Sequence, residues 1–303
     1  MTMTNNRYLR LIALAAGLTV LAGCGAKPNP TARADDAEVT AYNAARFDEA
    51  YAKLNEQFTK PRDQKSTVST LASFGGKSAQ KEIDVLWYQA ADKGKPEPPA
   101  ISTKSRTRKG ADDNYDVYHP SGSERDYALL GTRFKDLAPT PWVSYPTFTP
   151  KNGFNVCLVT GIQTVCAMQD AIKLTQKNAQ NVFKRVKEQP DGGMVLETAV
   201  TLKGFIDGRV MFFPEEIRKQ FPQSLLDSFI PTNISVAPNG DFKSITMNGV
   251  LEKEGKKLDI VVAYDVTGKA TAKDFPPAPS DFDVTALGSE AARKEFLDKV
   301  ASR

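Results

Sequence analysis

Chemistry has few places to start in this chain. Of its 303 residues one is a histidine, His119, and three are cysteines, Cys24, Cys157 and Cys166. So few His and Cys ligands cannot assemble a zinc cage. A serine or cysteine nucleophile that needs imidazole would have to use His119. That residue closes Tyr115-Asp-Val-Tyr-His119, directly before Pro120, and no G-x-S-x-G elbow accompanies it. It reads as a strand-end or solvent-exposed histidine rather than a general base. Asp112-Asp113 and Asp281-Phe-Asp283 lack the six or more oxygen donors at loop spacing that calcium takes, and they read as solvated turns. The basic stretch Lys104–Lys109 has two readings, contact with anionic lipid headgroups and a solvated loop. The loop is preferred because Asp112 and Asp113 offset its charge. The sequence therefore assigns no catalytic residue, no metal and no cofactor, and an enzyme is not expected.

Cys24 carries a different chemistry. Arg7 and Arg10 precede an apolar run from Leu11 to Leu21. The run is too short to span a bilayer, which takes about 20 residues, and suits the core of an export signal. It ends in Leu21-Ala22-Gly23-Cys24, small residues before a cysteine. This box resembles that of bacterial lipoproteins. The resemblance implies cleavage before Cys24 and diacylation of its thiol, which would give the chain a membrane partner. Two acyl chains anchor stably where one binds only marginally. Residues 1–23 are then a signal peptide, and residues 24–37, with Lys27, Pro28 and Pro30, a tether. The expected location is the outer face of the cell membrane.

Export decides how the other two cysteines are read. Outside the cytoplasm a Cys157–Cys166 disulfide is favoured over free thiols. With Gly161-Ile162 as a two-residue hairpin loop, Gly161 supplying positive φ, Cys157 falls directly opposite Cys166. A redox pair is the alternative, but C-x-x-C spacing is missing.

Composition excludes several classes. Hydrophobic residues make up 41% and charged residues 25%, so neither disorder nor a multi-span membrane protein fits. The net charge of +4 is too small for a nucleic-acid binder.

The elements that must position any site follow from periodicity. Residues 38–59 read as a helix with Tyr42, Ala45, Phe47, Tyr51, Leu54 and Phe58 on its apolar side. Residues 61–80 are polar and show no pattern beyond a Gly75-Gly76 break. Strands are expected around Ile83–Trp87, Tyr115–His119 and Asp126–Phe134, with a connector at 92–99 and a charged turn or edge at 104–113. Ala167–Asn178 predicts one or two helical turns. Asn181–Lys187 and Met194–Leu202 form a hairpin across Gln189-Pro-Asp-Gly-Gly193. Pro214–Phe229 reads as a helix kinked or split by Pro222. Asn233–Val236, Phe242–Leu251 and Lys257–Val266 form a β-meander. Ser289 caps a last helix to Val300.

This order predicts an α+β fold, a curved antiparallel sheet covered on one face by helices. Three parts of it resemble LolA and the actinobacterial LprG/LppX lipoproteins. They are the amphipathic helix after the tether, Leu137-Ala-Pro-Thr-Pro-Trp142, and the meander from Ile234 to Tyr264 closing on Asp274-Phe-Pro-Pro-Ala-Pro279. The resemblance covers residues 38–285. Outside its pattern lie the cysteine hairpin, the long 92–113 connector and the helix after Leu287. The domain is set at 38–288, with a C-terminal helix at 289–303. The resemblance implies a half-open barrel that binds or carries a lipid, a lipoglycan or a lipidated molecule. The inward residues of the best strands, Met194, Leu196, Val200, Leu258, Ile260, Val262 and Tyr264, are the candidate cavity lining; each competes with a plain core role. The alternative function is an interaction module that fills its own interior and holds a membrane or cell-wall protein.

Overall fold

Helix α1 (Asp36–Thr59) begins two residues inside the expected tether. Phe47, Tyr51, Leu54 and Phe58 recur along one side and are all buried. Tyr42 and Ala45 break the expected stripe: both are exposed, Tyr42 at 63%, and the Arg46 guanidinium lies over the Tyr42 ring. The computed structural model describes residues 36–59, 63–89, 91–92, 95–96, 99–107, 110–147, 156–180 and 182–302. The signal peptide, Cys24 and the tether up to Asp35 lie outside the described residues.

Strands β1 (Gln64–Phe74) and β2 (Lys77–Tyr88) follow. They form a hairpin in which Phe74 pairs with Lys77 across Gly75 and Gly76, and both glycines have positive φ, as a tight hairpin turn requires. Sequence reading missed β1 because Ser66, Thr67, Ser69, Thr70 and Ser73 mask its alternation. A central strand tolerates such small side chains when its neighbours supply the apolar mass.

After the short pair β3 (Ala91–Asp92) and β4 (Lys95–Pro96) come β5 (Ala100–Thr107) and β6 (Gly110–His119). The expected charged turn at 104–113 is thus largely strand, and an Arg106–Asp116 ion pair joins β5 to β6. Next are β7 (Arg125–Leu130), β8 (Trp142–Pro146) and α2 (Ile162–Asn178). A hairpin of β9 (Arg185–Glu188) and β10 (Met194–Thr201) leads into α3 (Leu202–Asp207). Single turns α4 (Glu215–Arg218) and α5 (Gln223–Leu226) replace the expected long helix. The break falls at Pro222, which caps α5. The meander is β11 (Phe229–Val236), β12 (Phe242–Lys253) and β13 (Lys256–Gly268). The chain ends with β14 (Val284–Ala286) and α6 (Glu290–Ala301), whose N-cap Ser289 accepts from the Ala292 N–H as anticipated.

Among the described residues twelve strands make one sheet in the order β14-β8-β7-β6-β5-β2-β1-β13-β12-β11-β10-β9. All neighbours are antiparallel except β14 and β8. The sheet is curved and not closed into a barrel, and the α+β class expected from the sequence stands. Its register aligns one apolar face: Leu196, Ile234, Ile245, Tyr264, Val68 and Ile83 are successive cross-strand partners. Helices α1, α2 and α3 cover that face over β9 and β10, and α5 lies against β12. Helix α6 packs separately against β8. Two apolar cores result, a large one beneath α1–α3 and α5 and a small one beneath α6.

Candidate functional site

The site is built where the C-terminal turns of α1 meet the start of α2. Gln57 anchors α1 there. Its side-chain amide donates to the Gly240 carbonyl at 2.8 Å and accepts from the Phe242 N–H at 3.0 Å. On one side of this seat lies a cavity of about 290 Å³. Phe58, Trp87, Val156, Val165, Phe242 and Tyr264 give it an apolar lining, and Gln57, Asp63, Gln64, Asp241 and Lys269 add polar groups. The Tyr264 hydroxyl accepts from the Gln64 amide at 2.6 Å. Burial pushes this phenol up to about 12, against the opposing pull of that hydrogen bond. Beside the earlier turns of α1 is a second cavity of about 220 Å³, lined by Ala50, Leu54, Val186, Met194 and Val236 with Arg46, Glu49 and Lys53.

The seven candidate lining residues divide sharply. Tyr264 lines the larger cavity and Met194 the smaller. Leu196, Val200, Leu258, Ile260 and Val262 are fully buried in the large core and line neither. Strand alternation identified the face correctly but not which part of it the helices leave uncovered. The lining residues Gln57, Phe58, Trp87 and Val165 come from three separate segments; helix periodicity pointed toward Phe58 and strand alternation toward Trp87, but neither brought them together.

Cys157 and Cys166 are disulfide-bonded, with Cα atoms 5.8 Å apart. The hairpin that was expected to pair them is absent. Cys157 lies in a 3-10 turn, Val156–Leu158, and Cys166 in the first turns of α2. Gly161 does adopt positive φ, at 89°, but at the helix entry. A Cβ there would stand 2.4 Å from the Val85 side chain, so only glycine lets α2 settle on β2. The disulfide thereby fixes Val156, Ile162 and Val165, all of which line the larger cavity.

His119 is strand-terminal, as read, but not exposed; it is buried at 3%. Its Nδ1 lies 2.8 Å from Asp126 Oδ1, and the Thr147 hydroxyl donates to the same oxygen at 3.0 Å. Cross-strand pairing puts Tyr118 opposite Tyr127, so His119 and Asp126 meet one step further along. The imidazole Nε2 is buried with no hydrogen-bond partner among the described residues. No nucleophile stands at that nitrogen among them, so the pair is not extended into a relay. Among the described residues no group of three His, Cys, Asp or Glu side chains is gathered around a metal position. No helix among them is long and apolar enough to cross a membrane.

No protein-family model matches the chain, and no curated protein matches it. Solved structures do. LprF from Mycobacterium bovis is 11% identical, with 78% of this chain and 99% of that one covered and a TM-score of 0.35. A LolA superfamily protein from Nitrosomonas europaea is 9% identical over 76% and 97%, with a TM-score of 0.24. MucB of Pseudomonas aeruginosa, solved as a complex with MucA, is 10% identical over 73% and 94%, with a TM-score of 0.20. At these scores the likeness is confined to layout and carries no argument about function. The fold rests on the chain's own strand order and register.

Proposed function

We propose that this chain is an exported lipoprotein, anchored through a diacylated Cys24, that binds the acyl part of a lipid or lipidated molecule without covalent chemistry. The observation that carries this reading is the larger cavity. Its aromatic and aliphatic lining would take a hydrocarbon chain, and its polar groups would face the head. On this reading residues 1–23 are removed and 24–35 form the tether, since α1 already begins at Asp36. The domain at 38–288 binds the ligand, and residues 289–303 close the sheet's far end. The test is native mass spectrometry of the mature chain carrying Cys24→Ser, purified without detergent. Lipid retained at one per chain supports the reading. An apo mass that stays unchanged after incubation with bacterial lipid extract refutes it.

A second reading is favoured by a specific observation: five of the seven candidate lining residues are fully buried in the chain's own core. An interaction module would fill its interior in this way and present its surface to a membrane or cell-wall protein. An apo mass together with a partner recovered by crosslinking on intact cells would select it.

A further inference from the structure

The sheet is charged differently at its two ends. At one end the β1–β2 and β12–β13 hairpins turn side by side, because Leu251, Leu258, Phe74 and Lys77 are successive cross-strand partners. Their tips hold Lys77, Lys253, Lys256 and Lys257, all exposed. None of the four is in an ion pair among the described residues. Two acids accompany them, Glu252 and Glu254. At the other end the β9–β10 and β11–β12 hairpins turn through Gln189–Gly193 and Ala237–Asp241. These turns carry Asp191 and Asp241 and no base, and they are neighbours because Met194 pairs with Val236. The larger cavity lies at this acidic end, where Asp241 and Phe242 line it.

The basic tip is built at a cost. Lys253 and Lys256 stand directly opposite each other, and like charges so placed destabilise a strand pair. Glu254 adopts a positive φ of 50°, a region that L side chains disfavour. Its carboxylate accepts from the Ser224 hydroxyl of α5 at 2.6 Å, which engages it with α5 and not with the lysines. Beside Lys253, Phe229 and Val250 line a shallow groove and are 45% and 62% exposed. Cations next to exposed apolar side chains suit a surface that offers phosphate above hydrocarbon. Strand β12 has 12 residues, so the two ends stand about 40 Å apart. A segment as long as Cys24 to Asp36 reaches about as far when extended. Reach therefore allows the basic end to meet the bilayer, and charge favours it, since an anionic leaflet attracts lysines and repels acidic turns.

We propose that the paired β1–β2 and β12–β13 hairpin tips dock on the anionic surface of the bilayer, with Lys77, Lys253, Lys256 and Lys257 on lipid phosphates, and hold the larger cavity at the end of the sheet that faces away from it. The proposal rests on the Cys24-anchored reading above, which supplies the bilayer, and is independent of what the cavity binds.

The test is flotation of the mature Cys24→Ser chain with vesicles of equal parts phosphatidylglycerol and phosphatidylcholine, and with vesicles of phosphatidylcholine alone. Lys256→Gln with Lys257→Gln and, independently, Lys77→Gln with Lys253→Gln remove tip charge. Lys294→Gln with Lys299→Gln on α6 makes the same change in net charge elsewhere. All six positions are exposed, and a melting curve like that of the parent qualifies each variant. The expected result is binding to the anionic vesicles alone, abolished by high salt, at least tenfold weaker in either tip variant and within twofold of the parent in the α6 variant. Hydrogen exchange on the vesicles should slow at residues 74–78 and 250–257 and not at residues 189–193 or 237–241. Unchanged binding by both tip variants, equal binding to neutral vesicles, or protection of the acidic turns instead would overturn the proposal. Displacement by soluble glycerol phosphate at the same phosphate concentration would make the tip a site for free anions and overturn it too. None of these outcomes touches the anchored reading, which the intact mass of the native chain from cell membranes tests by its two acyl chains.

Discussion

The two cores share one sheet but are held together differently. The large core is aromatic and aliphatic, and it runs from β9 to β5 with α1, α2, α3 and α5 upon it. The small core has Ala128, Leu130, Phe134, Val143, Tyr145 and Phe296 at its centre. Polar contacts supplement it. The Tyr115 and Tyr145 hydroxyls are 3.4 Å apart, and Arg293 of α6 lies over the Tyr145 ring. Arg125 donates to Ser144 and to the Leu287 carbonyl, tying the segment after β14 to β8. The difference shows where a protein can leave space. Only the core with a surplus of buried apolar surface borders the two cavities, because an unfilled void costs stability roughly in proportion to its size.

That contrast can be broken by experiment. Phe47→Ala, at a fully buried site of the large core, should cost about 3–5 kcal/mol and lower protection against hydrogen exchange across β9–β13. Phe296→Ala should cost less, because α6 is a terminal helix on a small core, and should release β7, β8 and β14 alone. Equal loss of protection in β11–β13 would show that the two cores are one cooperative unit. Removing the disulfide with Cys157→Ser and Cys166→Ser should cost about 2–3 kcal/mol, the entropy of a short closed loop. The loss should appear as a lower melting temperature and weaker ligand retention, since the loop lines the larger cavity.

The buried phenols sharpen the comparison at high pH. Burial pushes Tyr115 in the small core and Tyr264 in the large one each up to about 12. Each group holds its proton more tightly when folded than at the ordinary value near 10. The stability each contributes is complete below about pH 10 and is lost as pH rises toward 12. Tyr264→Phe and Tyr115→Phe should each flatten part of that alkaline limb in equilibrium unfolding. Tyr115→Phe should protect only the α6 region by hydrogen exchange.

The smallest effect concerns the strap that joins the two halves. Phe275 packs against Tyr88 and Tyr118, and Asp274 pairs with Lys65 of β1. Hydrogen bonds from Lys65, and then from Thr271, hold the Asp274 carboxyl at about 2 against an ordinary 3.8. A depressed carboxylate contributes stability above its unfolded value and loses it as pH falls toward the folded one. Asp274→Asn should therefore remove a slight loss of stability between about pH 4 and pH 2, and an unchanged acid limb would show that the strap couples nothing.

Legibility in the sequence followed local physics. The α1 face, the β11–β13 meander, the Pro222 break and the Ser289 cap depend on neighbours within a few residues, and all were readable. Strand β1 was not, because hydroxyl side chains conceal alternation and the strand's place in the middle of the sheet is fixed by β2 and β13. The cysteine pairing was read correctly through the wrong local geometry: a nine-residue separation closes as well across a helix entry as across a hairpin, and Val85 beneath Gly161 decides between them. His119 was placed at a strand end but not inside the molecule, since its partner Asp126 is brought to it by the β6–β7 pairing.

By itself the sequence determined the class of fold, the apolar faces, the disulfide partners and the shortage of ordinary catalytic groups. These follow from residue type and short-range period. Tertiary structure alone decided which apolar positions are core and which border space. That depends on where α1 comes to rest, which is set by burial of Phe47, Tyr51, Leu54 and Phe58 and by two hydrogen bonds between Gln57 and a segment more than 180 residues away along the chain.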